Sequence, residues 1–211
     1  MGIINEDDKP EMKKMFQKMA GEVSLLVFVK PSECRFCKET KEICHELADV
    51  CDKIVVETYD IENDKDVAEE YGVDKAPAIV VLGEKDYGVR YYGVPAGYEF
   101  TGLVEDIIDV GNGTTALSQE TKDVLAELKD DYHLQVFVTP TCPYCPRAVR
   151  LAHMMAIESK RITADMVESS EFPELAMDYE VLGVPKIIVN EDRSFEGALP
   201  EPMFLKKVIG E

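Results

Sequence analysis

The sequence predicts an α/β fold built twice in succession, each unit a central mixed β-sheet flanked by helices. Three observations carry that prediction. Two Cys-x-x-Cys motifs, Cys34-Arg35-Phe36-Cys37 and Cys142-Pro143-Tyr144-Cys145, lie 108 residues apart. The segments around them recur in the same order. Val27-Phe28-Val29-Lys30-Pro31 answers to Val136-Phe137-Val138-Thr139-Pro140, and the run from Tyr71 through Pro77 to Val81 answers to Tyr179 through Pro185 to Val189. Tyr92-Gly93 through Phe100 matches Glu196-Gly197 through Phe204, with four residues lost in the second copy. Ordered recurrence at nearly one spacing indicates a duplication. The third observation is the glycine-rich stretch Gly111-Asn112-Gly113-Thr114-Thr115, which suits a linker and divides the chain into units 1–112 and 113–211.

Pattern and punctuation give the elements of each unit in order. Pro10–Met19 reads as an opening helix: Pro10 suits its first turn, and Met12, Met15, Phe16 and Met19 form its apolar stripe. The counterpart starts at Ser118 as N-cap, carries Glu120 and Asp123 in its early turns, and runs to about Lys129. Val23–Lys30 and Leu134–Thr139 are apolar, β-branched runs of buried strands. Lys38–Val50 and Arg147–Ser159 follow as helices, Ile54–Tyr59 and Arg161–Asp165 as short strands, and Val67–Tyr71 and Glu174–Tyr179 as short helices. Ala78–Leu82 and Ile187–Asn190 are strands after a proline, with Val89–Tyr92 and Ser194–Phe195 as hairpin partners. Leu103–Val110 and Met203–Ile209 close the units as helices.

With 42 acidic against 23 basic residues the net charge is −19, which repels nucleic acid and anionic membrane surfaces; neither is expected as a partner. No apolar run approaches the ~18–20 residues needed to cross a membrane. The opening fourteen residues lack the apolar stretch of a signal peptide, so the expected compartment is the cytoplasm. Three glutamines and four asparagines beside 31% charged residues lean toward a thermophile. Six cysteines in such a chain point to redox chemistry or metal rather than a structural disulfide framework.

Two thiols separated by two residues at a helix start are about one turn apart and close a disulfide with little backbone movement. The first meets unpaired amides and the positive end of the helix dipole, which stabilise its thiolate. That thiolate attacks a disulfide, and the second thiol resolves the mixed disulfide. Cys34 and Cys142 are the expected nucleophiles, with Cys37 and Cys145 resolving. Pro143 suits the first turn and Pro146 withholds an amide, whereas Lys38 brings a positive charge to the first motif. A proline follows each nucleophile by 43 residues, Pro77 and Pro185, each opening a strand.

The competing reading of the motifs is a zinc knuckle, since Cys34, Cys37, Cys44, His45 and Cys51 supply enough ligands. Thr40, Ile43, Cys44, Leu47, Ala48 and Cys51, however, share one helical stripe, and the second motif has no further cysteine, so no metal is expected. Cys44 and Cys51 read as buried free thiols. Seven helical residues rise ~10.5 Å, so a bridge between them requires the helix to break near Ala48–Val50. His45, His133 and His153 read as packing or surface residues.

Two CxxC–Pro units in one chain of this length resemble the glutaredoxin-like protein disulfide oxidoreductases of thermophilic bacteria and archaea, built of two tandem thioredoxin-like folds. The resemblance spans nearly the whole chain, and Cys142-Pro143-Tyr144-Cys145 is the glutaredoxin-type motif. It implies that Pro77 and Pro185 are cis-prolines, and that Ala76 and Val184 before them face the disulfide and bind an extended client peptide. Phe36 and Tyr144 border the same substrate surface. It further implies reduction, formation and isomerisation of disulfides in client proteins, with no bound cofactor and with electrons from NADPH through a thioredoxin reductase-like flavoprotein. The second site is implied to be the more active.

Two departures accompany the resemblance. Glu196-Gly197-Ala198-Leu199 stands where glutathione-binding glutaredoxins carry Gly-Gly and an acidic residue, which argues against a dedicated glutathione site. Phe28 and Val136 stand where thioredoxins keep a buried proton-accepting Asp, so no general base is named. Two other functions compete: a dedicated electron donor to a peroxiredoxin, as in the two-thioredoxin-fold module of alkyl hydroperoxide reductase flavoproteins, and a thiol-independent peptide-binding or chaperone module.

Overall fold

The computed structural model describes residues 3–32 and 34–210; residues 1, 2, 33 and 211, which include both outer bounds of the predicted units, lie outside the described residues. The first half runs α1 (Lys9–Phe16), β1 (Val23–Val29), α2 (Cys37–Val50), β2 (Ile54–Asp60), α3 (Lys65–Glu70), β3 (Ala78–Leu82), β4 (Asp86–Tyr92), α4 (Glu99–Asn112). The second repeats the order: α5 (Gln119–Ala126), β5 (Tyr132–Val138), α6 (Cys145–Glu158), β6 (Ile162–Glu168), α7 (Pro173–Asp178), β7 (Lys186–Val189), β8 (Arg193–Glu196), α8 (Glu201–Ile209). The fold is α/β, with a mixed sheet flanked by helices, as the alternation of periods predicts.

The halves have the same connectivity. β1 pairs parallel with β2 and antiparallel with β3, which pairs antiparallel with β4; β5 does the same with β6 and β7, and β7 with β8. One arrangement was not anticipated. The sequence predicts a sheet in each unit, whereas the strands form a single sheet in the order β2-β1-β3-β4-β6-β5-β7-β8. β4 and β6, each an edge of its own half, pair in parallel from Val89↔Ala164 to Tyr92↔Val167, which hides two rows of unpaired backbone groups at once.

Residues alternate between two cores, as the two-residue period of a strand requires. Leu25, Val27, Ile79, Val81, Leu134 and Val136 face the larger core with α1, α2, α4, α5, α6 and α8. Leu26, Phe28, Val80, Phe137 and Ile188 face the smaller one, covered by the short α3 and α7. On α2 the predicted stripe holds: Thr40, Ile43, Cys44 and Leu47 are buried, while His45 is exposed on the opposite side.

The predicted linker is not a free linker. α4 continues through Gly111 and Asn112, and Gly113 ends it as a left-handed cap at φ 63°, a conformation that costs glycine little. Thr115 then donates its amide and hydroxyl to Glu158 of α6 at 2.6 and 2.8 Å. Ser118 caps α5 as expected, accepting from the Thr121 amide at 3.2 Å.

A polar cluster closes the seam between the halves. Asp106 of α4 is fully buried, and its carboxylate accepts from the Tyr91 hydroxyl of β4, the Arg150 guanidinium of α6 and His153 Nδ1 at 2.6 Å. Burial, reinforced by the Arg150 charge, pushes the His153 pKa down to about 3. The ring is therefore neutral and donates its Nδ1–H to Asp106. Arg150 also meets Glu105 at 3.1 Å and Asp109 at 2.5 Å. On the other sheet face, Arg90 stands beside Asp165 in the parallel register. Removing one member of a buried ionic cluster strands the rest. Asp106→Ala is expected to lower unfolding free energy by about 3–5 kcal/mol, read as a drop in urea midpoint; an unchanged midpoint would contradict this role.

Candidate active site

Both cysteine pairs are closed disulfides with Cα–Cα distances of 5.5 Å, at the heads of α2 and α6. Each helix begins at the second cysteine, with Phe36 and Tyr144 as N-cap residues, so the first cysteine stands just ahead of the unpaired amides. In the second pair the Cys145 amide donates to Cys142 Sγ at 3.1 Å. Cys142 Sγ also lies 3.8 Å from the Val184 carbonyl oxygen, which brings the proline loop to the disulfide. In the first pair the Lys30 amide donates to Cys37 Sγ at 3.3 Å; Cys34 is half-buried and Cys37 buried.

The Ala76–Pro77 and Val184–Pro185 peptides are both cis. Each proline carbonyl accepts from the glycine that follows the adjacent hairpin strand, Gly93 and Gly197, at 2.9 Å in both halves. The intervening pairs are placed unlike one another. Phe36 is half-buried against the core, with the Arg35 guanidinium 4.9 Å above its ring, whereas Tyr144 is 70% exposed. Lys38 pairs with Glu42 at 3.6 Å on the solvent side of α2.

Cys44 and Cys51 are free. α2 continues unbroken past Ala48 to Val50, and burial pushes the Cys44 thiol far above its ordinary pKa, which leaves it inert. Among the described residues no group of three or more His, Cys, Asp or Glu is placed to hold a metal ion, and no helix is long and apolar enough to cross a membrane.

A thioredoxin-domain family model matches residues 132–210, the second half of the chain. The NTD_N/C domain of alkyl hydroperoxide reductase AhpF from Enterococcus faecalis is similar in structure, with a TM-score of 0.90 at 25% identity, covering 97% of this chain and 99% of that one. The AhpF-type alkyl hydroperoxide reductase protein of Staphylococcus aureus is 25% identical over 98% of this chain; the chain spans 38% of the length of that relative. A protein disulfide oxidoreductase from Aeropyrum pernix has a TM-score of 0.90 and 32% identity, over 97% of this chain and 91% of that one. This chain belongs to the protein disulfide oxidoreductases. Like its relatives it is a thioredoxin-like CxxC protein, an enzyme of dithiol–disulfide exchange.

In this oxidoreductase the seam delivers an acidic residue to each site, and neither is evident from the motifs. α4 and α6 run side by side in one direction: Gly102 packs near Arg150, Asp106 meets His153, and Thr115 meets Glu158. Thr101 and Gly102 share a cleft with Pro146 and Arg147, so Glu99, about one turn earlier on α4, lies toward the head of α6 and the segment leading into it. Beside it the Tyr98 amide donates to the Pro140 carbonyl at 3.4 Å, and Gly97 (φ 62°) packs so close to that carbonyl that a Cβ there would collide with it. Glu99 is 1% exposed, neither carboxylate oxygen has a hydrogen-bond partner, and burial raises its pKa to about 8. At the first site Glu171, from the second half, accepts from the Val94 amide at 2.6 Å. Burial raises its pKa to about 7, with Glu168 and Glu39 adding to the rise and Arg35 opposing it.

A raised carboxyl pKa makes the folded state hold a proton the unfolded chain has lost. Stability from Glu99 is fully present below about pH 4.5 and is lost as pH rises toward about 8. Glu99→Gln is expected to flatten this loss, by up to a few kcal/mol at about 1.4 kcal/mol per pKa unit, in urea titrations at pH 5 and pH 8.5. Parallel pH dependence in the two proteins would sink the assignment.

Proposed function

We propose that residues 1–112 and 113–211 act as two redox units on disulfide-containing client proteins, each through one CxxC pair and the proline facing it. Cys34 and Cys142 are the nucleophiles, and Cys37 and Cys145 resolve. Ala76 and Val184, ahead of Pro77 and Pro185, hold the client backbone, with Phe36 and Tyr144 at the border of that surface. The observation that carries this reading is the Cys145 amide on Cys142 Sγ at 3.1 Å: the leading amide of α6 points at the sulfur that must bear negative charge.

In the reduced pair the Cys142 thiolate attacks one sulfur of a client disulfide, forming a mixed disulfide while the other client sulfur leaves as thiolate. Cys145, deprotonated, then attacks Cys142 Sγ. The mixed disulfide breaks, the CxxC disulfide forms, and two electrons have passed to the client. Glu99, with a pKa of about 8, is suited to take the proton of Cys145 near neutrality and return it to the leaving thiolate. Reversal of the same steps oxidises a client dithiol. Electrons for reduction come from NADPH through a thioredoxin reductase-like flavoprotein, the chain itself holding no cofactor, in the cytoplasm.

The second unit is the principal site. Among the described residues seven large apolar side chains are exposed, and four of them, Tyr98, Tyr144, Met177 and Leu182, lie on segments around Cys142. A second reading, electron donation to a peroxiredoxin, is favoured by the 98% coverage of this chain in the match to an alkyl hydroperoxide reductase.

Insulin reduction with dithiothreitol tests the proposal. Cys142→Ser is expected to lose about tenfold or more of the rate, and Cys34→Ser to keep most of it. Glu99→Gln is expected to slow the second site by about 100-fold. Activity that survives in the Cys34/Cys142 double variant would overturn the reading.

A further inference from the structure

The two halves join hairpin to closing helix by different segments. In the first half the residues Gly93-Val94-Pro95-Ala96-Gly97-Tyr98 lead from β4 to α4; in the second, Gly197-Ala198-Leu199-Pro200 lead from β8 to α8. Each segment begins with a glycine of left-handed φ, 96° and 92°, whose amide donates to the carbonyl of Pro77 or Pro185. There the likeness ends. A Cβ on Gly197 would meet nothing within 4 Å, whereas one on Gly93 would fall 2.6 Å from Glu168 Cβ and 2.8 Å from Glu171 Oε1. The first segment is thus packed against the other half of the chain, and the second meets no such wall at its glycine.

The first segment is pinned along its length. Tyr92 pairs with Val167, so the segment leaves the sheet beside Glu168 at the end of β6. Buried Val94 donates its amide to Glu171 Oε1 at 2.6 Å. Glu171 is itself held, its own amide donating to the Glu168 carbonyl at 3.1 Å and to the Glu168 carboxylate at 2.8 Å. Further on, the Ala96 amide donates back to the Val94 carbonyl at 2.8 Å, and the Glu99 amide to the Ala96 carbonyl at 3.3 Å. A short run of hydrogen bonds therefore leads from Glu171 to Glu99. On the way, Gly97 and Tyr98 close on the carbonyl of Pro140, two residues before Cys142.

We infer that Glu171, although it stands at the first site, is a positioning residue for the second redox pair. By holding the Val94 amide it fixes the 93–98 segment, and with it the place of Glu99 toward the head of α6. The inference rests on the proton-accepting role proposed for Glu99. A proton acceptor works only within hydrogen-bond reach of the group it serves, and a misplacement of about 1 Å can cost about 100-fold in rate. Among the described residues neither Glu99 carboxylate oxygen has a hydrogen-bond partner, so the side chain is placed by the backbone that carries it. Burial raises the Glu171 pKa and the Val94 bond opposes that rise, so the bond is stronger with the carboxylate ionised.

Single-turnover reduction of insulin by the reduced second pair tests this, in a full-length chain that lacks the first pair (Cys34→Ser, Cys37→Ser). Glu171→Ala removes the acceptor and is expected to slow the reaction by about tenfold, the low end of what one charge-assisted hydrogen bond supports. Glu171→Gln keeps a neutral acceptor for the Val94 amide and is expected to lose no more than about threefold. In a Glu99→Gln background, already slow, Glu171→Ala should cause no further loss, because the two residues act through one group. A further loss of about tenfold there would assign the effect to general damage and overturn the inference. Equal losses for Ala and Gln would trace the effect to the Glu171 charge and overturn it too. An undiminished rate in Glu171→Ala beside a slowed Glu99→Gln overturns the inference and leaves Glu99 as the acceptor. If Glu99→Gln itself reacts at the parent rate, the role of Glu99 and the inference fall together.

Discussion

Val89 to Tyr92 of β4 lie in parallel register with Ala164 to Val167 of β6, and this short stretch of backbone pairing decides what the two copies can do together. It converts two four-stranded sheets into one and removes an exposed edge from each. It also sets α4 of the first half alongside α6 of the second, where fully buried Asp106, His153 and Tyr91 interlock with the partly exposed Arg150. Such a cluster is costly to form and more costly to break, so it fixes one relative placement of the halves rather than many.

That placement makes each redox pair a joint property of both copies. Glu99 is carried by the first half and lies toward the head of the helix that bears Cys145. Glu171 is carried by the second half and feels the charge of Arg35 beside Cys34. A single thioredoxin-like unit keeps its proton acceptor within itself; here Val136 and its true counterpart Val27 both face the larger core, while Phe28, six residues before Cys34, faces the smaller one, so no acid stands on either strand there. The duplication thus permits a division of labour in which one copy contributes the thiols and the other a carboxyl group. The surroundings then diverge: Tyr144 is exposed at one site, and at the other Phe36 is half-buried beneath the Arg35 guanidinium.

Much of this is legible in the residues. The repeat announces itself because CxxC, proline and hairpin glycine are rigid punctuation that no other side chain replaces, and β-branched runs between them have few alternatives to buried strands. The apolar stripe of α2 gave away the continuous helix that keeps Cys44 from Cys51. The seam was hidden because strand pairing between β4 and β6 is non-local: nothing in Val89–Tyr92 names Ala164–Val167 as partner. His153 reads as a packing residue, and it is packed, but its partner Asp106 lies 47 residues away. The missing acid left one readable trace. Glu99, Leu103, Asp106 and Val110 fall on one face of α4, so two carboxylates interrupt an apolar stripe, a pattern that costs too much to be idle. Gly111–Thr115 was less informative, since a glycine-rich run looks the same whether it is a loose linker or, as here, a helix end and cap followed by a segment tied to Glu158.

The central claim is that client disulfides are attacked by Cys142 and released by Cys145. Trapping tests it most directly. Cys145→Ser leaves the attacking thiol and removes the resolving one, so incubation of the reduced variant with an oxidised, unfolded client should accumulate a covalent adduct, cleaved by dithiothreitol and mapped by mass spectrometry to Cys142. No adduct, or one joined through Cys44 or Cys51, would contradict the account.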